Sequence, residues 1–150
     1  EKLPGGTLVQ KFQNGTTIRA FKDGRVVQTD KSGNTVSKFP DGRSLKTIKS
    51  GNGIVKLEQL TDGTKIQTNP DGVCMRIEPD GTIIQTNVDG TVIELLPNKT
   101  KIQRNVDKSI IKIFPDGTRI QTYPDGKEIK IEPDGTITVL SPGKETEKKN

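Results

Sequence analysis

Short alternations of aliphatic and polar residues run along most of the chain, cut at fixed intervals by a turn signal. Thr64-Lys65-Ile66-Gln67-Thr68-Asn69 is followed by Pro70-Asp71-Gly72, and Thr118-Arg119-Ile120-Gln121-Thr122-Tyr123 by Pro124-Asp125-Gly126. Period-two alternation rich in Ile and Thr reads as strand, and Pro-Asp-Gly as turn. The turn glycines recur every nine residues from Gly6 to Gly51 and again from Gly63 to Gly135, with Lys99 and Lys108 filling two slots and a single gap of twelve between Gly51 and Gly63. Nine residues leave no room for a helix beside a strand. The pattern therefore predicts an all-β chain: a single-layer, free-standing antiparallel β-meander of about 15 short strands in sequential order. Its repeat domain is expected over residues 1–143, with an irregular loop near 50–54 and a disordered tail over 144–150.

The turn type decides which side chains share a face. A two-residue Asp-Gly turn would put Pro where an N–H must bond across the hairpin. A type I turn closed by a G1 bulge instead puts Pro at the first corner, Asp at the second and Gly in the left-handed position. It needs positive φ at one residue only, so Lys99 and Lys108 are tolerated at roughly 1 kcal/mol each. With such turns the residue before each turn pairs with the residue after it. Arg76 then lies beside Ile66, and each central aliphatic has a Gln, Arg or Lys neighbour on its own face. Neither face is a continuous apolar surface. Long polar stems cover the aliphatics, and no second layer is required.

Composition fits this reading. Hydrophobic residues make up 28% and aromatics 3%, with no Trp, against roughly 45–50% apolar content in ordinary domains. Lys and Arg number 24 against 19 Asp and Glu, a net charge of +5, scattered through all strands rather than gathered in the basic stripe with stacking aromatics that nucleic acid binding needs. No apolar run is long enough for a membrane helix. The one cysteine, Cys74, excludes an internal disulfide and points to a reduced, cytoplasmic setting. It has no partner for a metal. There is no His, the Asp residues are mostly turn formers, and a wet sheet offers no desolvated pocket to shift a pKa. Neither catalysis, a metal nor another cofactor is expected. A calcium-binding β-roll, which shares the period, would need more glycines per unit and lacks the proline.

Phe39-Pro40-Asp41-Gly42-Arg43, Phe114-Pro115-Asp116-Gly117-Thr118 and Tyr123-Pro124-Asp125-Gly126-Lys127 resemble the repeats of the T-complex protein 10 C-terminal domain, the G-box of the centrosomal P4.1-associated protein family. The resemblance covers roughly residues 5–141. It implies a free-standing antiparallel sheet in a centriole-assembly scaffold at the centrosome, whose partner is a proline-rich segment of a STIL/Ana2-like protein. Many slots that hold aromatics in the family hold Asn69, Glu78, Leu96 and Glu132 here.

All five aromatics sit at strand ends. The turn geometry puts Phe21, Arg25, Phe39 and Arg43 in one row, with Val27 and Leu45 one step inward. The row reads either as mutual cover of ring and cation or as a shallow groove for an extended proline-rich peptide. The unpaired first and last strands, Thr7–Phe12 and Thr136–Leu140, offer a second mode: end-to-end self-association, which would make the chain a structural ribbon without a peptide ligand.

Overall fold

The computed structural model describes residues 1–142, so the tail expected over 144–150 lies outside the described residues. Fifteen strands follow one another in a single open sheet whose order is the order of the chain. The fold class expected from the repeat is borne out. The chain divides into two compact units, Glu1–Pro79 and Asp80–Asn150.

The first unit carries β1 (Leu8–Lys11), β2 (Thr17–Ala20), β3 (Val26–Thr29), β4 (Thr35–Lys38), β5 (Ser44–Ser50), β6 (Gly53–Gln59), β7 (Lys65–Thr68) and β8 (Cys74–Ile77). The β7–β8 hairpin shows the repeated turn. The Asn69 N–H donates to the Val73 carbonyl at 2.9 Å and the Gly72 N–H to the Asn69 carbonyl at 3.0 Å. Gly72 has φ of 89°. This is the type I turn with a G1 bulge, and Ile66 lies directly opposite Arg76 as that turn requires. Near residues 50–54, where the glycine spacing predicts an irregular loop, Ser50 pairs with Gly53 around a two-residue Gly51-Asn52 turn. The extra residues lengthen β5 and β6 to seven residues each.

The second unit carries β9 (Ile83–Thr86), β10 (Val92–Leu95), β11 (Lys101–Arg104), β12 (Ile110–Ile113), β13 (Arg119–Thr122), β14 (Lys127–Ile131) and β15 (Ile137–Pro142). Lys99 and Lys108 adopt φ of 70° and 71°. A side chain is strained there, so Lys99→Gly and Lys108→Gly are each expected to raise stability by about 0.5–1 kcal/mol, read as a higher urea midpoint at unchanged m-value. The glutamines that recur every eighteen residues form a local device. Gln85 and Gln103 donate to Asn87 and Asn105 at 2.7 and 2.8 Å, and Gln67 does the same to Asn69 in the first unit at 2.8 Å.

The described residues have almost no core. The only buried apolar side chains are Val9 and Ile102, whereas Thr64, Thr100, Ser109 and Thr118 are buried polar ones. Ile102 lies between Glu94 and Lys112 of the flanking strands, whose stems cover it. That is how 28% hydrophobic residues suffice. The edges are blunted in different ways. Glu1–Leu3 folds back on β1, with the Val9 N–H donating to the Glu1 carbonyl at 2.8 Å. At the other end a register shift between Glu128 and Ile129 interrupts β14 against β15, which ends on Pro142. A bulge and a proline both discourage edge pairing.

The turn carboxylates add a titrating contribution. Asp62, Asp116 and Asp134 each accept from the N–H two residues on at 2.8 Å. These bonds, backbone N–H first and Thr hydroxyl second, hold the carboxyl groups below the usual carboxylate range. A depressed folded-state pKa stabilises the fold above the ordinary carboxylate value, and that contribution is lost as pH falls through the folded value. Stability is therefore expected to be level down to about pH 5 and to fall below about pH 4. Asn14 and Asn98 occupy the same slot and accept the same bond at 2.9 Å without charge. The triple variant Asp62→Asn, Asp116→Asn, Asp134→Asn should keep its fold at pH 7 and lose stability less steeply in acid, as followed by circular dichroism melts across pH.

Candidate peptide-binding face

In the first unit the registers place one set of side chains in two adjoining rows. The outer row follows from the turn-closing pairs: the Phe21 N–H donates to the Arg25 carbonyl at 2.8 Å and the Phe39 N–H to the Arg43 carbonyl at 3.0 Å. With the pairing of β3 and β4, the order across the sheet is Phe21, Arg25, Phe39, Arg43. The inner row runs Arg19, Val27, Ser37, Leu45. All six sequence-predicted residues share one face. Phe21, Arg25, Val27, Phe39 and Leu45 are half-buried and Arg43 is exposed.

The two arginines differ in how they are held. Arg43 lies 5.0 Å from the Phe39 ring centroid, and its Nε donates to Asp41 at 2.7 Å. The Arg43 N–H and guanidinium hold the Asp41 carboxyl below its usual range, and the bond to Asp41 raises Arg43 in turn. Arg25 stacks more closely, 4.1 Å over the Phe21 ring. Its Nε is buried without an acceptor, and among the described residues no carboxylate pairs with it. Ring contact thus fixes this guanidinium with its Nε closed off, which leaves only the two terminal nitrogens as donors for a ligand.

Beyond Arg43 the outer row continues through Leu60 to Thr64, which is completely buried, and Glu78. The Glu78 carboxylate accepts from Thr64 at 3.4 Å and from Arg76 at 2.6 Å. The row passes from ring and cation to carboxylate. It is a shallow surface whose length runs across the strands. The other aromatics are elsewhere. Phe12 falls on the opposite face of the first unit, and in the second unit Phe114 and Tyr123 sit on opposite faces, Tyr123 with Lys127 5.7 Å from its ring.

The reading of the aromatics alone missed the other face of β1–β8. Shallow hollows lie there, one of about 320 Å³ over β5–β8 beside Leu57, Met75 and Ile77, with others next to Ile18, Val36 and Ile48. The signal was present in the strand glutamates. Glu58 pairs with Leu45 and Ile66 and Glu78 reaches Thr64, so both project on the phenylalanine side and leave the opposite face without a strand carboxylate.

A one-layer sheet of nine-residue hairpins defines a class of free-standing β domain, and solved structures of that class match this chain. It has the G-box, or TCP10, fold implied by its turn repeats. The G-box domain of the microcephaly protein CPAP, for which a role in centriole elongation has been suggested, aligns at 24% identity over 95% of this chain and 97% of that one, with a TM-score of 0.79. The TCP domain of Drosophila melanogaster SAS-4, in complex with a proline-rich motif of Ana2, aligns at 18% identity over 90% and 89% with a TM-score of 0.82. The TCP10 domain of Danio rerio CPAP, in complex with a peptide of STIL, aligns at 25% identity over 96% and 94% with a TM-score of 0.58. No protein-family model and no curated protein sequence matches the chain.

Proposed function

We propose that this chain is a non-enzymatic peptide-binding module of a centriole-assembly scaffold, acting in the cytoplasm at the centrosome. Its ligand on this reading is a proline-rich segment of a STIL- or Ana2-like partner, laid across Phe21, Arg25, Phe39 and Arg43 with Val27 and Leu45 beneath. The observation that carries the reading is the Phe21–Arg25–Phe39 row with its uncommitted guanidinium. A polyproline segment has no internal hydrogen bonds, so its carbonyls are free acceptors, and its rings pack on aromatic faces. Two phenylalanines supply the faces and Arg25 supplies donors between them. The structures with bound partner peptides support the ligand class. The blunted sheet edges disfavour the alternative of a ribbon built by edge pairing.

The test is direct titration. A fluorescein-labelled STIL-type proline-rich peptide is expected to bind the chain with a Kd of about 10 μM or tighter, roughly −7 kcal/mol, whereas a peptide with its prolines replaced by alanine binds at least about tenfold more weakly. Equal affinity for the two, or no binding of the first, would remove the proline-rich reading.

A further inference from the structure

The face of the first unit opposite the phenylalanine row carries a second surface. Its hollow of about 320 Å³ lies at the small end of ligand-binding cavities and suits one or two apolar side chains. Two adjoining rows build it, Lys46–Leu57–Gln67–Met75 and Ser44–Gln59–Lys65–Ile77, set side by side by the registers of β5 to β8. Leu57 and Met75 make a half-buried floor, and Ile77 is 38% exposed.

The strand side chains that this face presents around the floor carry only positive charge; Glu58 also borders the hollow, but its pairing with Leu45 and Ile66 puts its side chain on the phenylalanine side. Lys46 and Lys65 are exposed, stand two strands apart at roughly 10 Å, and have no carboxylate partner among the described residues. The contrast lies within the same unit, where Arg43 and Arg76 are matched by Asp41 and Glu78. Those acids and Glu58 are committed to the other face or to the turns. Two uncompensated ammonium groups beside an open apolar floor favour a ligand that brings its own carboxylates.

We propose that this hollow docks an acidic peptide segment of a partner protein, with apolar side chains over Leu57, Met75 and Ile77 and carboxylates on either side reaching Lys46 and Lys65. Lys38 on β4 pairs with Ser44 and extends the cationic border of the same face. A peptide suits the site better than an anionic lipid surface, because the apolar floor lies in a local concavity that single side chains can enter and a flat bilayer cannot. A sheet one layer thick could then hold two different segments back to back. This surface shares no side chain with the phenylalanine row, so either assignment can fail alone.

Anisotropy with labelled Glu-Asp-Leu-Phe-Asp-Glu and Glu-Asp-Ile-Leu-Asp-Glu peptides tests this on the whole chain. At least one is expected to bind, about tenfold more weakly to the Lys46→Gln, Lys65→Gln variant, with affinity unchanged in Phe21→Ala, Phe39→Ala. Should the double lysine variant not fold, each single variant is expected to weaken binding about threefold. No binding of either peptide, affinity indifferent to the lysines, equal binding of a lysine-flanked counterpart, or loss in the phenylalanine variant would each overturn the proposal. So would lysine-dependent binding to phosphatidylserine vesicles with no binding of the peptides.

Discussion

Replacing Phe21 and Phe39 together by alanine is expected to weaken binding of a proline-rich peptide about hundredfold, while the sheet remains folded. Aromatic anchors at the centre of a peptide site typically contribute about 2 kcal/mol each or more, and roughly 1.4 kcal/mol corresponds to tenfold. Two such losses would exceed a hundredfold if additive, but two rings that flank one arginine in a row share a ligand and fall short of additivity. The variant also releases Arg25 and Arg43, which lie 4.1 and 5.0 Å from the Phe21 and Phe39 ring centroids, and removes two half-buried rings, so some stability is lost. That cost is about 1–3 kcal/mol, because both rings are only partly buried and both contacts only partly desolvated. A drop in affinity of that size in a variant that remains folded identifies the rings as ligand contacts. Unchanged affinity in a folded double variant would show that they serve only to cover their own arginines.

Ile102→Ala is expected to cost about 2–3 kcal/mol, the lower part of the range for truncating a core aliphatic. Ile102 is 9% exposed, yet its cover consists of the stems of Glu94 and Lys112 rather than of a second layer. Such stems can settle into the space left behind, which limits the cavity. Ile137, 63% exposed on the last strand, buries little and should cost under about 1 kcal/mol when truncated. Urea denaturation of the two variants separates them. Equal costs would mean that burial by polar stems does not carry the stability of this sheet.

Much of the fold is legible because one turn repeats. Pro-Asp-Gly admits a left-handed residue at a single place, which fixes the register, and the register fixes the faces. The juxtaposition of Phe21, Arg25, Phe39 and Arg43 follows from that step, as does Arg76 beside Ile66. Spacing says less where it changes. The gap of twelve between Gly51 and Gly63 is compatible with a loop or with longer strands. The choice between them depends on cross-strand pairs such as Ile48 with Val55, which no local signal announces. The bulge between Glu128 and Ile129 and the return of Glu1–Leu3 onto β1 are likewise outcomes of pairing. The hollow beside Met75 depends on side-chain lengths in neighbouring strands. The pairing of Asp41 with Arg43 while Arg25 stays without a carboxylate depends on rotamers, which alternation does not encode.

The most direct measurement is a methyl NMR titration of the chain with an unlabelled STIL-type proline-rich peptide. Val27 and Leu45 lie on the phenylalanine side, and Leu57 and Met75 on the other. The methyl signals of Val27 and Leu45 are expected to shift on binding while those of Leu57 and Met75 stay in place. Shifts confined to Leu57 and Met75 would contradict the assignment and move the proline-rich ligand to the opposite face.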